Sequence, residues 1–131
     1  ASQTYSLNKT IKGTCLSLIN IAIINLQHFK FYQAEQNLLQ ALKLNEKLQN
    51  LYIDAKSYQL IGHIQMVIGN WDQSFKNLEK ASEIFKKGRN TYGIFDTYSS
   101  LSEYFLLREN FNKSKIFSEK IPPMTLCRTV S

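Results

Sequence analysis

The chain has 131 residues, enough for one domain with a modest core. Apolar residues make up 44% and charged residues 20%, which excludes a disordered polar chain, and no apolar run reaches the roughly 18 residues that span a membrane. The formal net charge of +6 raises nucleic acid or acidic lipid as partners, but the lysines are spread along the chain, with one small cluster at Lys86-Lys87-Gly88-Arg89. That scatter is the pattern of a solvated helix surface.

Proline is absent until Pro122-Pro123, which favours long helices over short strands with frequent turns. Residues 1–10 align with residues 41–50 and read as the end of a helix belonging to a preceding repeat. Helices are then expected at about 11–28 and 31–48. The third, about 51–68, carries Leu51, Ala55, Tyr58, Ile61, Ile64 and Ile68 at steps of three and four, one face of a helix. Gly69-Asn70 breaks this pattern: the glycine stops one helix and the asparagine can cap the next. Gln73 is placed to complete a capping box, and Asp72 to meet the helix dipole. The fourth helix, about 71–87, has Phe75, Leu78, Ala81, Ser82 and Phe85 at helical spacing, with Lys86 and Lys87 suiting its C-terminal end and Gly88 as its stop. Two more helices follow at about 91–108 and 111–120. Residues 122–131 have no helical pattern.

The elements repeat with a period of forty. Gln33, Asn37, Leu38 and Ala41 recur as Gln73, Asn77, Leu78 and Ala81. Asn50, Tyr52 and Tyr58 recur as Asn90, Tyr92 and Tyr98, and Asn70 and Ser74 recur as Asn110 and Ser114. Connections of two or three residues force neighbouring helices antiparallel, and stacked hairpins bury the faces that one hairpin leaves bare. The expected units are therefore 11–50, 51–90 and a shortened 91–121, flanked by 1–10 and the irregular 122–131.

The string Tyr58-Gln-Leu-Ile-Gly62, Gly69-Asn-Trp71-Asp-Gln-Ser74, Leu78 and Ala81 resembles the tetratricopeptide repeat. The third unit fills the same slots with Tyr98, Leu101, Ser102, Phe105, Asn110, Phe111 and Ser114. The first fills them with Leu18, Ile21, Ala22, Phe31, Ala34, Leu38 and Ala41. The resemblance covers about residues 14–120. It implies an all-α fold: a right-handed α-solenoid of antiparallel helix hairpins, with about six main helices plus an N-terminal partial helix. Ala22, Gly62 and Ser102 then face Ala34, Ser74 and Ser114 where each hairpin closes, because large side chains there would force it open. The period of forty departs from the common 34-residue repeat. It resembles the longer arrays of bacterial signalling proteins, transcriptional regulators and scaffold adaptors. The chain reads as a fragment of such a protein.

In this family the first helix of each pair lines a concave groove. By register the groove residues are Lys56, Gln59, His63 and Met66 in the second unit, and Asp96, Ser99, Glu103 and Leu106 in the third. In the first they are Leu16, Ile19, Ile23 and Leu26, a stripe that would equally suit an upstream repeat. A groove apolar at one end and mixed in charge at the other fits a peptide with an apolar anchor and a charged portion. The carboxylate clamp of some family members is absent, since Ile19, Ile23, Leu60, Asp96 and Ser100 occupy its slots.

His63 and Glu103, in equivalent places on adjacent repeats, are the one pair that tempts an enzymatic reading; without a pocket and an orienting third group they read as groove contacts. His28 sits at a helix end, where it suits the dipole. Trp71 and Phe111 fill core slots beside turns. Cys15 and Cys127 are too far apart in sequence for a disulfide framework or zinc site. No phosphate loop or nucleophile elbow occurs, so no catalytic residue, cofactor or metal is expected. The expected partner is a protein or peptide and not a membrane; the alternative readings are a basic nucleic-acid-binding repeat surface or a structural spacer. Homo-oligomers through exposed repeat ends are a further route. With no signal-peptide pattern, the chain reads as cytoplasmic.

Overall fold

The chain turns back on itself every twenty residues, with one backbone device. Phe29, Gln49, Gly69, Arg89 and Glu109 all have positive φ, between 53° and 87°. After four of these residues the next amide reaches back to the carbonyl five positions earlier: Lys30 to Asn25 at 2.8 Å, Asn70 to Gln65 at 2.8 Å, Asn90 to Phe85 at 2.9 Å and Asn110 to Phe105 at 2.7 Å. These bonds satisfy carbonyls that a helix end otherwise strands. Between the turns, a computed structural model, which describes residues 2–122, has six helices. They are α1 (Ser2–Gln27), α2 (Phe31–Leu48), α3 (Leu51–Ile68), α4 (Trp71–Lys87), α5 (Thr91–Leu107) and α6 (Phe111–Glu119).

Three of the helix starts are capped by asparagine. Asn50 accepts from the Ile53 amide at 3.1 Å, Asn90 from Gly93 at 2.9 Å and Asn110 from Lys113 at 3.4 Å. Asn70, expected to cap α4, makes no such bond. Asn70, Asp72 and Gln73 are all exposed, so the start of α4 is open to solvent and does not depend on a side-chain cap. Gly88 is not the left-handed stop either: its φ is −82°, and the twenty-residue register puts positive φ on Arg89 instead. His28 does close α1, its Nδ1 lying 2.9 Å from the Ile24 carbonyl. Gly69 is the only glycine in a left-handed slot. Gly69→Ala is expected to cost about 1 kcal/mol, the strain of a Cβ at positive φ, read as a lower urea midpoint at unchanged slope. An unchanged midpoint would mean that this turn relaxes freely.

The N-terminal segment differs from the repeat register. Residues 2–10 are no separate partial helix; they continue into α1, which is 26 residues long. Residues 3–10 are exposed throughout. The 123–131 part of the expected tail, including Cys127, lies outside the described residues, as does the side chain of Phe111.

Hairpins α1–α2, α3–α4 and α5–α6 stack through α2 on α3 and α4 on α5, and the first helices also touch, α1 with α3 and α3 with α5. Each hairpin closes on its small residues. Ala22 and Ala34 are fully buried. Ser74 Oγ donates to the Gly62 carbonyl at 2.7 Å, and a Cβ on Gly62 would lie 2.9 Å from Leu78 Cγ. Ser102 Oγ donates to the Ser114 carbonyl at 3.0 Å. Cys15, Ile19, Leu38, Ile53, Ile61 and Ile64 form an aliphatic core between the first hairpin and α3. Met66, Leu78, Leu101, Tyr104 and Phe105 form an aromatic core at the other end. Burial, with the Asp54 carboxylate nearby, pushes the Cys15 thiol up, so it packs as a neutral apolar group.

Hairpin closure changes character along the chain. Asn25 Nδ2 donates to Asn37 at 2.8 Å in the first hairpin, and Asn77 Nδ2 to Gln65 at 2.7 Å in the second. The equivalent third-hairpin pair is Phe105 and Phe117, stacked with centroids 5.7 Å apart at 9°. An amide bridge is thus replaced by a ring stack on the same backbone frame.

Candidate functional site: the groove of the first helices

The first helices of the three hairpins enclose a shallow groove of about 370 Å³. On α1 its wall is Ile23 and Leu26, joined by Leu60 of α3. Helical spacing puts Lys56, Gln59 and His63 on the same side of α3, and Asp96 and Ser100 face them from α5. At the centre is a three-membered polar link. Gln59 Nε2 donates to Asp96 Oδ2 at 2.7 Å, Lys56 Nζ donates to Gln59 Oε1 at 3.3 Å, and Lys56 Nζ stands 3.5 Å from Asp96 Oδ2. Gln59 is buried beneath, and the Lys56 and Asp96 side chains stay 20% and 37% exposed. The link ties α3 to α5 and leaves both charges reachable from solvent.

The groove therefore gathers Ile23, Lys56, Gln59, His63 and Asp96, with Leu26, of the residues expected from the register. The other six are not in it. Met66 is 1% exposed and packs in the aromatic core, because its position on α3 turns it toward Leu78 and Tyr104. Ile19 is 3% exposed and belongs to the aliphatic core beside Cys15 and Ala22. Leu16 is half-buried against that same core. Ser99, Glu103 and Leu106 are exposed on α5 outside the groove. No hydrogen bond or ion pair joins His63 to Glu103 among the described residues. Leu60 and Ser100 line the groove although the register assigned them to the slots of a clamp; a helical face about a hundred degrees wide takes in positions beside the stripe itself.

Among the described residues no group of three or more His, Cys, Asp or Glu side chains is arranged to hold a metal ion. No described helix is long and apolar enough to cross a membrane.

No family model matches the sequence, and no curated protein matches it. The fold does have a solved counterpart. The crystal structure of the TPR domain of Arabidopsis FLU superposes with a TM-score of 0.74 at 16% identity, covering 84% of this chain and 92% of that one. Six helices in hairpins, small residues at each closure and this superposition agree: the chain has the tetratricopeptide-repeat fold.

Proposed function

We propose that this chain is a non-catalytic protein-interaction scaffold that binds a peptide segment of its partner in the groove of α1, α3 and α5, as part of a signalling or regulatory protein. The observation that carries the reading is the division of that groove: an apolar wall of Ile23, Leu26 and Leu60 beside the solvent-reachable Lys56–Gln59–Asp96 link. The TPR fold of the solved counterpart supports a scaffold in general. The two halves of the groove have different work. Lys56 and Asp96 already satisfy each other, so a charged peptide group exchanges one partner for another and gains little net energy. Affinity then comes from an apolar anchor desolvated against Ile23, Leu26 and Leu60, and the polar link sets its direction.

The test is selection of peptides from a random displayed library, followed by titration of the enriched sequences. Peptides with an apolar anchor beside a charged portion are expected. A Leu60→Asp, His63→Ala variant that retains its helicity is expected to bind them on the order of tenfold or more weakly, the loss of one apolar anchor. Equal binding by the variant would sink the groove reading.

A further inference from the structure

A second surface shares no residue with that groove and lies between α4, the end of α5 and α6. The N-terminal half of α4, the C-terminal end of α5 and the first turn of α6 enclose an open pocket of about 580 Å³. Its floor is aromatic: Phe75, Tyr104 and Phe105, with ring centroids 5.0 to 5.8 Å apart. The Tyr104 hydroxyl is tied to the Trp71 carbonyl at 3.1 Å, so the floor presents ring rather than phenol. Its rim carries Lys76, Arg108 and Lys113 against one carboxylate, Asp72.

Two of these cations are held in place by rings. The Arg108 guanidinium stands 5.3 Å from the Trp71 centroid, and Lys113 Nζ stands 5.3 Å from that of Phe105. Such contacts fix a cation without neutralising it. The ion pairs of the described residues are Lys56–Asp96 and Lys115–Glu119, so Lys76, Arg108 and Lys113 have no carboxylate partner there. The positive end of α6 adds to the same field.

We propose that this pocket is a second docking site, and that its occupant is a short acidic peptide segment bearing an aromatic or large aliphatic side chain. The floor takes the apolar group, and the three cations take the flanking carboxylates. Charge complementarity selects this occupant over an extended polyanion. Further along the same face, between α4 and α6, the lining is mixed, Glu79 and Glu83 beside Lys86 and Lys120, so an extended nucleic-acid backbone would gain no further net positive charge and would meet two carboxylates. A short segment stops before them.

The experiment is amide chemical-shift titration of the full chain with a blocked peptide alternating glutamate and phenylalanine. Its lysine–phenylalanine counterpart and a single-stranded decanucleotide are run in parallel. Expected are shifts at Phe75, Tyr104, Arg108 and Lys113 with the acidic peptide. Affinity should fall on the order of tenfold in Arg108→Glu and in Lys113→Glu, at unchanged helicity because both side chains are exposed. Leu60→Asp, in the groove, should bind the acidic peptide like wild type, which separates this site from that one. The proposal is overturned if the shifts fall on Ile23, Lys56 and His63 instead, or if the charge reversals bind equally well. It is also overturned if the lysine peptide binds as tightly, if the decanucleotide competes, or if millimolar peptide moves nothing.

Discussion

Gly93→Ala is expected to loosen the joint between the second and third hairpins. A Cβ built on Gly93 would lie 2.3 Å from Phe85 Cδ1 and 2.5 Å from Cε1, far inside contact distance. The ring has little freedom to move. Phe85 is 3% exposed, packs with Ala55 and Ala81, and meets Tyr52 edge-on at 6.5 Å. Overpacking of this kind costs up to about 3 kcal/mol. Alanine returns about 1 kcal/mol of helix propensity, so the net loss is about 2 kcal/mol. By thermal melting that is a fall of roughly 6–8 °C. Stability in stacked repeats is largely nearest-neighbour, so hydrogen exchange should rise in α5 and α6 before it rises in α1 and α2. Phe85→Leu, which shortens the ring side chain, is expected to cancel part of the loss, with a coupling of about 1 kcal/mol or more. A Gly93→Ala protein that melts at or above wild type would show that α5 has slack at this interface.

Asn45→Leu keeps much of the side-chain volume and is still expected to cost about 2–3 kcal/mol, because it strands partners that an apolar group cannot serve. Asn45 is 1% exposed and all its side-chain polar atoms are used. Its Nδ2 donates to the Asn50 carbonyl at 2.8 Å and to Asp54 Oδ1 at 2.7 Å, and its Oδ1 accepts from the Asn50 amide at 3.0 Å. This is the one turn of the five in which a side chain takes the place of the backbone carbonyl that receives the second amide. The lesion therefore falls on the α2–α3 joint and on the cap that Asn50 provides. Urea unfolding followed at 222 nm measures it. A loss below about 0.5 kcal/mol would mean that water replaces the network at no cost.

These two positions are one solution written twice. Asn45 and Phe85 are forty residues apart, as are Ile53 and Gly93. The first inter-hairpin joint places a small polar residue on the second helix and buried Ile53 on the next one. The second joint places a large ring there and removes the side chain opposite it. The backbone frame stays the same because paired changes keep the volume between helices roughly constant, which is what close packing demands.

The parts of this protein that depend on local rules are legible in its residue pattern. Apolar steps of three and four, the forty-residue period and the two-residue connections were enough for helices at 31–48, 51–68 and 71–87, for antiparallel hairpins, and for small residues at their closures. Those features rest on hydrogen-bond geometry and on volume at positions that sequence spacing fixes. The rest was set by packing between helices. It made residues 2–10 part of α1, since that depends on what does or does not pack beside them. It turned Met66 and Ile19 into core, because a register stripe gives the side of a helix but not how deeply a neighbour covers it. It moved positive φ from Gly88 to Arg89, where the twenty-residue geometry outweighed residue preference. It also joined Lys56, Gln59 and Asp96 into one link, and set Lys76, Arg108 and Lys113 around an aromatic floor. The first set joins α3 to α5 and the second draws on α4, the end of α5 and α6, and a periodic pattern carries no information about which side chains meet across helices.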